Sequence, residues 1–208
     1  MERRDLLIGL FITCLVLANV MGSKITSLFG LRASVSIFIM PLLFVISDII
    51  TEVEGKKAAR DMVNTALIIL VFVFLYTALA IHLPPNPAYT GQDAYALIFG
   101  QSLRITAASL IAFAMAQLMD IAVFSRLKAK TGSRQLWLRS NLSTYAGQLV
   151  DTLVFMFLAF YMMTPTYTAG FVLSIAWPYY LLKVLFAVID TPFVYLGVAW
   201  LRAEKKDR

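Results

Sequence analysis

The sequence predicts an all-α integral membrane protein, a bundle of six transmembrane helices that forms a single domain over residues 1–208, with both termini in the cytoplasm. Composition is the first observation: 60% of the side chains are hydrophobic, 14% are charged, and the mean hydropathy is +0.79. A soluble domain carries roughly 25% charged residues. The other two observations are six apolar segments and the alternation of basic charge between them.

Each apolar segment approaches the length of about 20 residues that one crossing of a bilayer core about 30 Å thick requires. The first follows Arg3 and Arg4 and runs on without a clear cleavage site, so we interpret it as a retained helix and not as a signal peptide. After the third segment, Pro84 and Pro85 cannot continue a helix. The predicted segments are residues 6–22, 33–50, 62–83, 103–125, 143–163 and 178–201.

Basic residues alternate between the two sides of the predicted bundle. Fourteen of the 18 lysines and arginines lie before the first segment, between the second and third, between the fourth and fifth, or after the sixth. Cytoplasmic loops of membrane proteins carry such an excess of basic charge. The charge pattern therefore predicts the orientation, and it explains the pI of about 9.5 without a nucleic-acid partner.

The common enzyme signatures are missing from the sequence. It contains no phosphate-binding Gly-x-x-x-x-Gly-Lys-Ser/Thr loop, no His-Glu-x-x-His, no Gly-x-Ser-x-Gly and no Cys-x-x-Cys. One histidine, His82, and one cysteine, Cys14, cannot build a site of several such ligands. Asp120 and Asp151 could pair as in an aspartyl membrane protease, but the glycine-rich context of such acids is missing. We expect no enzymatic activity, no metal and no cofactor.

Polar and ionisable side chains lie within the predicted transmembrane segments. A charge at the centre of a helix costs at least about 2.5 to 3.5 kcal/mol on insertion scales, so it requires a partner, a ligand or a pathway. The pattern Gln-Leu-x-Asp-x-x-Val-Phe occurs in the fourth and the fifth segment and places amide and acid on one helix face. Two explanations of these polar residues stay open: hydrogen bonds between helices, and a polar cavity inside the bundle. The residues within the segments are Asp48, Gln117, Asp120, Gln148, Asp151, Lys183 and Asp190, and Glu52 follows Asp48 by one helical turn.

At these polar positions the chain resembles the queuosine precursor transporters, bacterial inner-membrane proteins that are also called the vitamin uptake transporter family. The resemblance extends over nearly the whole chain. One departure is Glu54, where the family often has an aromatic residue. The matching motifs are Ala18-Asn19, Ser47-Asp48-Ile49-Ile50-Thr51-Glu52, Gln117-Leu118-Met119-Asp120, Gly147-Gln148, Asp151-Thr152, Lys183-Val184 and Asp190-Thr191-Pro192.

The resemblance implies import of 7-cyano-7-deazaguanine or 7-aminomethyl-7-deazaguanine, the precursors of queuosine in tRNA. The edge of such a base offers two adjacent N–H donors that one carboxylate can accept, and a carbonyl oxygen that an amide or ammonium can bind. The candidates to accept from the two donors are Asp120, Asp151 and Glu52, and those for the remaining polar atoms are Asn19, Gln117 and Gln148. Lys183 is a candidate to bind the carbonyl oxygen or to pair with an acid. Asp48 and Asp190 are candidates to carry a coupling proton or to form helix contacts.

Two other functions stay open on the sequence alone. One is a substrate-binding subunit of an energy-coupling-factor type of uptake system, which depends on a separate ATP-driven module. The other is a membrane enzyme or assembly factor, although the metal-binding aspartate cluster expected for lipid chemistry is missing from the sequence. The energy source and the preferred precursor are open as well, and a homodimer is a further expectation for so small a bundle.

Overall fold

A computed structural model describes residues 2–28, 31–131, 136–189 and 191–206. Apart from one β-hairpin, the secondary structure of these residues is helical, which confirms the predicted all-α class. The elements in chain order are α1 (Arg3–Met21), β1 (Ile25–Leu28), β2 (Leu31–Ser34), a 3₁₀ turn (Val35–Phe38), α2 (Met40–Glu54), α3 (Lys56–His82), α4 (Gln92–Thr131), α5 (Leu136–Phe160), α6 (Ala169–Ile189) and α7 (Thr191–Lys206).

The chain divides into two compact units. The first comprises Met1–Thr106 and Leu181–Arg208, and the second comprises Ala107–Tyr180. In the first unit, α2 packs against α1, α3 and α7. Its core follows helical spacing, since apolar residues three or four apart share one face of each helix. The buried side chains include Leu7, Phe11 and Cys14 on α1, Ile46, Ile49 and Ile50 on α2, Met62 and Ala66 on α3, and Val198 and Leu201 on α7.

The start of α2 differs from the predicted second segment, which began at residue 33. Residues 25–28 and 31–34 pair as two antiparallel strands with Ile25 opposite Ser34, and α2 begins only at Met40. Ser34 Oγ donates to the carbonyl oxygen of Gly22 over 2.7 Å and accepts from the Ser36 backbone N–H, which starts the 3₁₀ turn. Pro41 fits the first turn of the helix because that position needs no N–H donor. Hydropathy alone detected only the apolar character of this stretch.

Gly55 separates α2 from α3. Its φ is +90° and its ψ is 166°, a backbone conformation that glycine adopts without steric cost. The Gly55 N–H donates to the Thr51 carbonyl oxygen over 3.0 Å, which closes the last turn of α2. The acidic end of α2 is therefore held next to the start of α3.

The second unit contains the remainder of α4, all of α5 and the first part of α6. Small side chains are completely or almost completely buried in it, namely Ala112, Ala159 and Ala176. Small residues allow the close approach of helix backbones that is typical of membrane bundles. Phe160 and Tyr179 are the largest side chains in this buried set.

Three helices within the described residues are long and apolar enough to cross a membrane: Arg3–Met21, Lys57–His82 and Gln92–Ala116. A shorter apolar stretch lies at Tyr145–Phe160. The sixth predicted segment, 178–201, begins later than the helix in the structure, where α6 already starts at Ala169. Helix is described on both sides of residue 190, as α6 up to Ile189 and as α7 from Thr191.

Candidate functional site

A cavity of about 480 Å³ lies between α2 and α7 in the first unit. Its volume falls in the range of about 300 to 1,000 Å³ that is usual for small-molecule sites. Both charged and apolar side chains line it: Asp48, Thr51 and Glu52 on α2, and Val194, Tyr195, Val198 and Arg202 on α7.

The α2 wall of the cavity is polar because of its residue spacing. Asp48, Thr51 and Glu52 are three and four residues apart, so they share one helix face. Ile46 and Ile50 lie on the opposite side and are each 1% exposed in the core. The burial of this apolar face turns the two carboxylates of α2 towards the cavity.

An ion pair joins the two walls. Arg202 Nη2 donates to Glu52 Oε1 over 2.9 Å, and the two side chains are 58% and 62% exposed. Exposed pairs of this kind contribute about 0 to 1 kcal/mol, so the bond can be exchanged for another at little cost. Asp48 has no hydrogen-bond or ion-pair partner among the described residues. The cavity therefore presents one carboxylate in excess of its ion pair.

The α7 wall is anchored to the start of α1. Arg3 Nη1 donates to the carbonyl oxygen of Trp200 over 2.6 Å, and the guanidinium carbon lies 4.9 Å from the centre of the Trp200 ring. Cation–π contacts of this type are worth about 0.5 to 1 kcal/mol at exposed sites. These contacts hold the part of α7 that precedes Arg202.

Asn19 lies outside this cavity, near the end of α1, and is 4% exposed. Its Nδ2 donates to the Leu15 carbonyl oxygen over 2.8 Å, whereas its Oδ1 is buried and accepts no hydrogen bond from the described residues. A buried polar atom without a partner costs about 1 to 3 kcal/mol. The free energy lost by burying Asn19 Oδ1 without a hydrogen bond would be recovered by a donor from outside the described residues, such as a ligand or a water molecule.

The described candidates of the fifth and sixth segments are not among the residues that line this cavity. Gln148 and Asp151 are half-buried on α5, and Lys183 is 8% exposed on α6. Thr152 donates to the Gln148 carbonyl oxygen over 2.9 Å. A cavity of only about 60 Å³ lies between α5 and α6, and its lining contains no charged side chain: Leu149, Thr152, Leu153, Leu173, Ala176, Trp177 and Tyr180.

Three predicted residues lie outside what the structure describes. Asp190 is not among the described residues, and the side chains of Gln117 and Asp120 are likewise outside them. Of the nine sequence candidates, Asp48 and Glu52 are brought together in the cavity. Within the described part of the chain, no group of histidine, cysteine and acidic side chains could hold a metal ion.

Sequence reasoning missed Tyr195 and Arg202 as site residues. Arg202 belongs to the basic C-terminal stretch, where membrane topology already explained its charge. The available signal was spacing: Val194, Val198 and Arg202 are four residues apart and share a face of α7. Only the contact with Glu52 identifies that face as a cavity wall.

Comparison with known proteins gives the same assignment as the motifs. The sequence profile of the family described as "Putative vitamin uptake transporter" matches residues 34–197. A Bacillus subtilis protein named "Probable queuosine precursor transporter" is 33% identical over 184 residues, which is 86% of this chain and 78% of the relative. The Escherichia coli "Queuosine precursor transporter" is 28% identical over 163 residues, 78% of this chain and 71% of the relative.

A further relative, the Haemophilus influenzae "Probable queuosine precursor transporter", is 25% identical over 154 residues, 72% of this chain and 61% of its own length. No solved structure matches the chain. These names do not favour the alternative of a binding subunit for a separate motor. The profile match alone covers well over half of the sequence, so the chain belongs to the vitamin uptake transporter family.

Proposed function

We propose that this protein is a multi-pass transporter that imports queuosine precursors, 7-cyano-7-deazaguanine or 7-aminomethyl-7-deazaguanine, across the bacterial inner membrane for tRNA modification. The observation that supports it is the similarity, over 86% of the chain, to a relative named for this cargo. The role is transport and not catalysis, and the protein acts without a cofactor. We further propose that it functions as a single transmembrane domain and that two copies form a homodimer.

The proposal includes six membrane crossings with both termini in the cytoplasm. The distribution of lysine and arginine supports this orientation. In this topology the end of α2 precedes the basic stretch that contains Lys57 and Arg60, so the cavity beside Asp48 and Glu52 opens on the cytoplasmic side. A cargo molecule in this cavity would be near its point of release.

The cavity chemistry fits a guanine-like cargo. The ring N1–H and the exocyclic amino group are adjacent donors, and a single carboxylate can accept both. Asp48 supplies such a carboxylate, since it has no partner among the described residues. We therefore assign Asp48 to the donor edge. Along the rest of the path, the candidates for cargo contacts remain Asn19, Gln117, Asp120, Gln148, Asp151, Lys183 and Asp190.

Uptake by the purified protein in liposomes tests the function directly. We expect saturable uptake of labelled 7-cyano-7-deazaguanine and of its aminomethyl relative, with competition by excess unlabelled precursor, and the same assay with and without a proton gradient identifies the energy source. Protein-free liposomes are the control. Tight binding without uptake would indicate a binding subunit that needs a separate motor. The absence of both binding and uptake would contradict the proposed cargo.

Asn19→Leu is expected to raise the thermal stability of the detergent-solubilised protein and to lower uptake. The substitution removes the buried Oδ1 that lacks a partner, and we expect a gain of about 1 kcal/mol in the free energy of unfolding. Uptake falls because the same oxygen is a candidate acceptor for the cargo. Thermal unfolding and liposome uptake measure the two effects.

Asn64→Leu is the matched control, because Asn64 is exposed on α3 and does not line the cavity. We expect little change in uptake from this control. If Asn19→Leu transported the cargo as fast as the original protein, Asn19 would be a structural residue only.

A further inference from the structure

The Watson–Crick edge of a 7-deazaguanine presents three groups in a row: the amino donor, the ring N1–H donor and the carbonyl oxygen O6, an acceptor. A complementary site must offer acceptors to the first two and a donor to the third. A carboxylate alone cannot satisfy such an edge, because it would leave O6 without a hydrogen bond inside the cavity.

The two walls of the α2–α7 cavity supply the two complementary kinds of group. Asp48 on α2 is an acceptor only, and Arg202 on α7 is a donor only. Arg202 contacts the described part of the chain through Nη2, which donates to Glu52. A guanidinium carries five N–H donors, so Arg202 can bind Glu52 and still donate to a second acceptor.

We propose that Arg202 is a specificity-determining residue that donates a hydrogen bond to the O6 carbonyl of the cargo while Asp48 accepts from its amino and N1–H groups. This inference rests on the proposed function and assigns atoms of the same cargo. Glu52 is then a positioning residue, because its carboxylate binds the guanidinium of Arg202 at the cavity that Asp48 also lines.

The weakness of the ion pair with Glu52 also favours a hydrogen bond from Arg202 to the cargo. The pair is largely exposed and is weakly stabilising, so its reorientation towards a cargo oxygen costs little. A charged donor bound to a carbonyl in a cavity from which the cargo excludes water makes a stronger bond than a neutral donor. The guanidinium of Arg202 is thus positioned to donate to the cargo, and it should favour a cargo with the O6 oxygen over one with a poorer acceptor.

The test compares two competitors that differ at one atom. 7-Deazaguanine and 6-thio-7-deazaguanine share the amino group and the N1–H, but sulfur is a weak acceptor. Displacement of labelled 7-cyano-7-deazaguanine from the purified protein measures both affinities. We expect the oxo compound to bind about 10-fold more tightly to the original protein, as for the loss of one charge-assisted hydrogen bond.

Arg202→Met should reduce this ratio to about 1, because methionine keeps the length of the side chain without any donor. A second comparison uses 7-deazahypoxanthine, which differs from 7-deazaguanine only by the absence of the amino group. The ratio of the affinities of these two compounds should be the same in Arg202→Met as in the original protein. The double variant Glu52→Gln with Arg202→Met removes the unpaired carboxylate and should show the same loss of oxo preference.

Arg60→Met is the matched control, since Arg60 is an exposed basic residue of α3 outside the cavity lining. Its oxo-to-thio ratio should equal that of the original protein. If Arg202→Met does not fold, Arg202→Gln, which keeps a neutral donor, should give an intermediate ratio. An unchanged ratio in Arg202→Met or Arg202→Gln would overturn the role of Arg202, whereas an original protein that binds no 7-deazaguanine would contradict the proposed function instead.

Discussion

Asp48→Asn is expected to lower the uptake of labelled 7-cyano-7-deazaguanine by about 10- to 100-fold, as for the loss of a hydrogen-bonded charge worth about 1.5 to 3 kcal/mol. Asparagine keeps the size of the side chain, but it replaces one acceptor oxygen by an amino group that is a donor. That group would face the donors of the cargo. Initial rates of uptake into liposomes with equal amounts of protein measure the loss.

Asp61→Asn provides the control for this substitution. Asp61 is an exposed acid of α3, lies outside the cavity lining and should be on the same side of the membrane. Its replacement removes the same charge and should leave uptake within about twofold of the original, as for surface changes worth less than 0.5 kcal/mol. Equal uptake by Asp48→Asn and Asp61→Asn would remove Asp48 from the site.

The acidic face of α2 could be predicted from the sequence because its signal is local. Asp48 and Glu52 are one helical turn apart, and any helix through this stretch places them on one face. The sequence assigned Glu52 to the cargo and Asp48 to coupling or helix contacts. We propose the opposite assignment because Glu52 pairs with Arg202, a contact that spans 150 residues and has no local signature in the sequence.

The hairpin before α2 could not be predicted for a related reason. The 3₁₀ turn that follows it, Val35–Phe38, is apolar enough to extend the second segment towards the N-terminus in a hydropathy profile. The geometry of the hairpin depends on the bond from Ser34 to Gly22, 12 residues earlier in the chain. Hydropathy reports whether a segment prefers lipid, and it is insensitive to hydrogen bonds between short polar side chains and the backbone.

Gly197→Ala is expected to destabilise the protein by about 1 to 3 kcal/mol, the usual cost of inserting a group into a well-packed core. A Cβ atom at Gly197 on α7 would overlap Ile49 Cδ1 on α2 and would lie 2.8 Å from Ile49 Cγ1. Ile49 is 3% exposed, so its side chain has little room to move away. The midpoint of thermal unfolding in detergent measures the effect.

Gly100→Ala is the matched control because it makes the same chemical change in α4, at a position where a Cβ atom would meet no other atom within 4 Å. Alanine is favoured over glycine inside a helix by about 1 kcal/mol, so this control should be neutral or stabilising. Opposite signs for the two substitutions would identify the contact with Ile49 as the cause. Equal effects at both positions would contradict it.

Ile49→Val removes the Cδ1 atom that a Cβ at Gly197 would overlap, so it should restore part of the stability lost in Gly197→Ala. The two changes should therefore be non-additive, as is expected for residues in contact. The same close approach of α2 and α7 sets the separation of Asp48 and Arg202 across the cavity. We accordingly expect Gly197→Ala to weaken the binding of 7-deazaguanine as well, and Ile49→Val to recover binding together with stability.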